Sequence, residues 1–118
     1  MNALKLADIA VVSGDQAEIT TSRAALDLVM TVQYEAGAKR VAFDKRVLGE
    51  DFFILSTGLA GEILQKFINC HVKAAVFGDC SRYTSKPLKD FIYESNNGKD
   101  IFFTASKEEA AERLAPGK

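Results

Sequence analysis

The chain has 118 residues, 15 basic against 16 acidic side chains, 47% apolar and 26% charged. That is ordinary globular composition, long enough for one buried core and too short for two. Near-neutral charge, with basic runs no longer than Lys39-Arg40 and Lys45-Arg46, argues against a nucleic-acid binder. The longest apolar run is four residues, as in Ile9-Ala10-Val11-Val12, so no membrane-spanning helix is expected.

Leu4 to Val12 reads as a strand, and Ala17-Glu18-Ile19-Thr20 as a second one returning after a turn at Ser13-Gly14-Asp15. Thr21 or Ser22 then offers an N-cap. Ala25, Leu28, Val29, Val32 and Ala36 line one face of a helix that Gly37 stops. Lys39 to Asp44 is a short strand, followed by a loop from Lys45 to Asp51. Phe52 to Leu55 is apolar, a turn or short extension packed on the core. Ser56 or Thr57 caps the next helix, whose apolar stripe is Leu59, Ala60, Ile63, Leu64, Phe67 and Ile68. Val72 to Phe77 is nearly all apolar, as a strand covered on both faces should be. Leu88, Phe91 and Ile92 mark a third helix, started near Pro87 and stopped by Asn96-Asn97-Gly98. Ile101-Phe102-Phe103 is the last strand, and Ser106 with Glu109 forms a capping box for a final helix to about Leu114.

The expected fold is therefore a single α/β domain over residues 1–118, ordered β-β-α-β-α-β-α-β-α. Its sheet should be mixed and mostly parallel, about five strands, with packed helices. Cys70, His71 and Cys80 fit no zinc spacing. Buried apolar cysteine is the expected role of the thiols, and His71 is read as a polar residue ending a helix. No secretory pattern opens the chain, so a cytoplasmic setting is expected. No catalytic residue, cofactor or metal site is assigned. With a single histidine, a hydrolase triad has no support.

Ligands of open α/β sheets meet the loops beyond the strands' carboxyl ends. Two such loops are dense in functional groups. Ser56, Thr57 and Gly58 stand at a helix start, where free N–H groups and the dipole favour an anion or an added phosphate; the bland alternative is an N-cap alone. Asp79, Ser81, Arg82, Tyr83, Thr84 and Ser85, with Asp44 and Asp51 nearby, offer a second site in which Arg82 would anchor a polar or phosphorylated ligand. Here the alternative is a solvated loop with satisfied turns.

Asp51-Phe52-Phe53, Thr57-Gly58-Leu59-Ala60-Gly61-Glu62-Ile63-Leu64-Gln65-Lys66-Phe67, Gly78-Asp79, Ser81 through Lys86 and Asp90 through Asn96 resemble a bacterial family catalogued as domain of unknown function 4180. That resemblance implies a small cytoplasmic bacterial protein and brings no activity with it. The element order is also similar to that of STAS domains, which include the anti-anti-sigma factors and carry Asp-Ser-Ser/Thr-Gly-Leu-Gly after their third strand. Ser56, Thr57, Gly58 and Leu59 match that motif, with Leu55 in place of the acid and Ala60 in place of the last Gly. The resemblance implies a non-catalytic regulatory domain with Thr57 at the phosphorylated position. It also implies a protein partner; a homodimer through exposed strand edges or helix faces is the further expectation. The competing reading is a small-molecule or phosphate-ligand protein, an enzyme included, with its site at the strand ends.

Overall fold

The computed structural model describes residues 2–6, 9–14, 16–37, 40–79 and 85–114. β1 (Asn2–Leu6) pairs antiparallel with β2 (Ile9–Ser13), opposing Leu6 to Ile9. α1 (Ser22–Ala36) leads to β3 (Arg40–Asp44) and α2 (Leu59–Asn69) to β4 (Lys73–Phe77). α3 (Lys86–Asn96) leads to β5 (Ile101–Thr104), and α4 (Lys107–Leu114) follows. The sheet order is β1-β2-β3-β4-β5. Four of these strands, β2 to β5, run parallel, and β1 flanks β2 antiparallel, so the sheet is mixed and mostly parallel.

The opening hairpin lies earlier than the sequence suggests. The stretch read as one strand, Leu4 to Val12, is divided between β1 and β2. Ala17 to Thr20 is no strand. It makes one parallel bridge, Ile19 to Leu48: the Glu18 and Ile19 N–H groups donate to the Val47 carbonyl at 2.8 and 3.0 Å, and the Gly49 N–H donates to the Ile19 carbonyl at 3.2 Å. Ile19 is nonetheless fully buried, so its apolar side chain serves the core without a ladder.

Sequential strand order with right-handed crossovers places every crossover helix on one side of the sheet. The side chains agree. Val41, Phe43, Ala74, Val76, Ile101 and Phe103 point into the main core with Ala25, Val29 and Val32 of α1, Ile63 and Phe67 of α2, and Leu88 of α3. The alternate residues Ile9, Val11, Ala42, Ala75 and Phe102 face the other way and meet Ala110 and Leu114 of α4. Alanine at 42 and 75 lets this short helix lie close over the sheet. Its start is capped as expected, the Ser106 hydroxyl accepting from the Glu109 N–H at 3.2 Å.

Thr21 caps α1, its hydroxyl accepting from the Ala24 N–H at 3.0 Å, and Gly37 closes the helix in the left-handed region at φ 68°. His71 sits in the same region at φ 58° just after α2. No helix among the described residues is long and apolar enough to cross a membrane.

Candidate functional site

Between β3 and α2 the chain makes three 3₁₀ turns, Lys45–Val47, Glu50–Phe53 and Leu55–Thr57. They bury Val47, Leu48, Phe52 and Phe53, so the segment is part of the core rather than a loop over it. These turns fix the approach to α2. The Thr57 hydroxyl lies 2.7 Å from the Asp51 carbonyl and 2.8 Å from that of Ile54, and it accepts from the Leu59 N–H at 3.3 Å. One hydroxyl proton is thus shared between two carbonyls.

The cap of α2 differs from expectation. Gly58, not Ser56 or Thr57, occupies the N-cap position, at φ 80° and with no side-chain cap bond. A left-handed N-cap is a conformation that glycine alone adopts without penalty. Ser56, Thr57, Gly58 and Gly61 are all exposed, and Ile54 beside them leaves 49% of its surface in water. A Cβ added at Gly58 or Gly61 would meet nothing within 4 Å. Glu62 stands in the first turn, where its charge already answers the helix dipole. Asp51 is exposed nearby, its backbone bound to Thr57.

At the carboxyl end of β3, Asp44 is the buried charged residue of the described chain, 7% exposed. Its carboxylate accepts from the Arg46 Nη2 at 2.7 Å, from Nε at 3.2 Å and from the Arg46 backbone N–H at 3.0 Å. Burial pushes the Asp44 pKa up, but the Arg46 side chain and backbone donors, with the charges of Arg46 and Lys45, push it down further. The result lies below the ordinary aspartate value, so the group is ionised at neutral pH. Asp44 therefore holds the Arg46 turn.

Beside it, β4 is followed by Gly78, whose φ is 137°; a Cβ there would come within 2.8 Å of the Lys45 Cγ. Gly78→Ala should accordingly destabilise the fold by about 1–3 kcal/mol, through backbone strain and displacement of Lys45. Thermal unfolding would read this directly, and an unchanged Tm would show that the rim is looser than described.

Asp79 and Gly78 line a cleft of about 240 Å³ with Thr104, Ala105 and Glu109 over a floor of Ile92 and Phe103. This cleft opens towards β5 and α4, and none of Asp44, Asp51 or Thr57 lines it. Ser85 caps α3, its hydroxyl accepting from the Leu88 N–H at 3.3 Å. Ser81, Arg82, Tyr83 and Thr84, like Cys80, lie outside the described residues. No three acidic, histidine or cysteine side chains among the described residues are grouped to hold a metal ion. Cys70 is exposed rather than buried, which corrects the expected core role for that thiol.

Two features went unread in the sequence. One is the Asp44–Arg46 fork, since the sequence offers Asp44 as a candidate ligand residue and Lys45-Arg46 only as a short basic run. The other is Gly61, visible as a glycine but informative only once the space around it is known. A family model, Domain of unknown function (DUF4180), matches residues 5–114. No curated protein matches the chain, and no solved structure does.

Proposed function

Since the chain belongs to the DUF4180 family, a domain of unknown function, its role has to come from its own geometry, and we propose a non-catalytic regulatory domain that docks a protein partner at the start of α2. The carrying observation is Gly61. It lies in the first turn of a helix, exposed and with empty space around it. Folding alone would favour alanine there by about 0.5–1 kcal/mol. Gly58 is explained by its positive φ; Gly61 has no such reason. A small residue at an exposed helical position suits close approach by another chain.

The surroundings define the partner's chemistry. Exposed Ile54 supplies an apolar contact, and Asp51 in the turn before it and Glu62 in the first turn of α2 are exposed and acidic. A partner segment that is flat and basic, with an apolar residue for Ile54, complements this patch. The order of elements and the Ser56-Thr57-Gly58-Leu59 sequence, similar to STAS domains, support the same reading. Thr57 as a phospho-switch would add charge beside Asp51 and Glu62 and break the hydroxyl's bond to the Asp51 and Ile54 carbonyls. Phosphorylation would therefore draw a basic segment more strongly to the patch while it remodels the turn that presents Ile54.

Gly61→Ala should raise stability by about 0.5–1 kcal/mol. Gly61→Arg should leave the fold intact while placing a long cation on the patch. Affinity capture from the native host tests the proposal. A protein retained by wild type, reduced with Gly61→Ala and lost with Gly61→Arg is the expected result. Identical retention by all three variants would refute docking at this surface.

A further inference from the structure

The two edges of the sheet are β1 and β5, and exposed edges invite pairing with other strands. In β5 the groups turned towards β4 belong to alternate residues. The Thr104 carbonyl accepts from the Gly78 N–H at 3.0 Å, and the carbonyl of Asp100, just before the strand, accepts from the Ala74 N–H at 3.0 Å. By that alternation Ile101 and Phe103 turn their N–H and C=O groups outward, to the free edge.

The outward donor of Phe103 is taken. Its N–H donates at 2.7 Å to the side-chain oxygen of Asn96, the last residue of α3. The backbone carbonyl of the same Asn96 accepts from the Arg113 guanidinium, which comes from the last turn of α4. That guanidinium also lies over the Phe102 ring, 4.4 Å from its centroid. Phe102 faces the α4 layer and Asn96 ends a helix of the opposite layer. Arg113 thus passes around the strand edge and joins both layers.

We infer that Asn96 and Arg113 form a clasp that closes the β5 edge against strand addition by a second copy of this chain. Asn96 occupies a donor that an incoming strand would need, and Arg113 fixes Asn96 while standing in the incoming strand's path. The clasp is independent of any partner bound at α2.

Asn96→Leu removes the acceptor at similar size, and Asn96→Asp keeps an acceptor oxygen in place. In Asn96→Leu the Phe103 amide should exchange with solvent about tenfold faster. Sedimentation should then show species larger than wild type, growing with concentration. Asn96→Asp should sediment as wild type does. Arg113→Met, which keeps the stem over Phe102, should show the same self-association more weakly and decides the matter if Asn96→Leu does not fold. Wild-type sedimentation by a folded Asn96→Leu protein, or by Arg113→Met in its stead, would overturn the clasp.

Discussion

Phe52→Ala should lower the free energy of unfolding by about 3–5 kcal/mol, a large fraction of the stability of a domain this size. Phe52 is 1% exposed. Its ring meets Phe53 edge-on at 5.0 Å and Phe103 at 6.2 Å, so it ties the 3₁₀ segment to β5 across the core. Truncation leaves a cavity that the short turns, held by carbonyl contacts to Thr57 and Leu48, collapse into only partly. Ile54→Ala, at an exposed position two residues on, should change stability by less than about 0.5 kcal/mol. Urea titration of both variants separates the two cases. A Phe52→Ala loss under about 1 kcal/mol would mean that residues 45–57 are a dispensable loop, and the surface they build at α2 would lose its foundation.

Asp44→Ala should cost about 1.5–3 kcal/mol, the range for hydrogen bonds to a charged group. The lower end is expected, because the Arg46 side chain is 60% exposed and water replaces part of what it loses. The pH dependence carries a distinct signature. The Asp44 pKa is depressed in the folded chain, chiefly against burial, by the Arg46 donors. Its contribution is therefore complete above the unfolded aspartate value, about pH 4, and fades as the pH falls through the lower folded value. Asp44→Asn removes that titration, so its acid limb should be shallower than wild type below about pH 4. Urea midpoints measured across that range would show the two curves converging as the pH falls. Parallel curves would show that Asp44 does not titrate abnormally.

The helical part of the fold was legible because its apolar positions recur at helical spacing and its ends carry capping residues. Thr21, Gly37, Ser85 and Ser106 all act at or beside the ends of their helices. The hairpin was misplaced for a local reason. Residues Ala7 and Asp8, between β1 and β2, include no glycine or proline, whereas Ser13-Gly14-Asp15 looked like a turn. Residues 45–57 have no strand or helix period because 3₁₀ turns bury adjacent side chains, Phe52 and Phe53 together. At the candidate site the sequence singled out Ser56, Thr57 and Gly58 but not Gly61, and it could not show that the Thr57 hydroxyl is tied to the Asp51 and Ile54 carbonyls. Nor could it show that Asp44 is buried against Arg46, since both facts depend on how three short turns stack.

The docking surface is tested most directly by titrating the captured partner into isotopically labelled protein and following backbone amides. Perturbation centred on Ile54, Ser56, Gly58 and Gly61, and abolished by Gly61→Arg, is the predicted result. Shifts confined to the far end of the helix layer, around His71 and Gly98, with the α2 start unmoved, would contradict it.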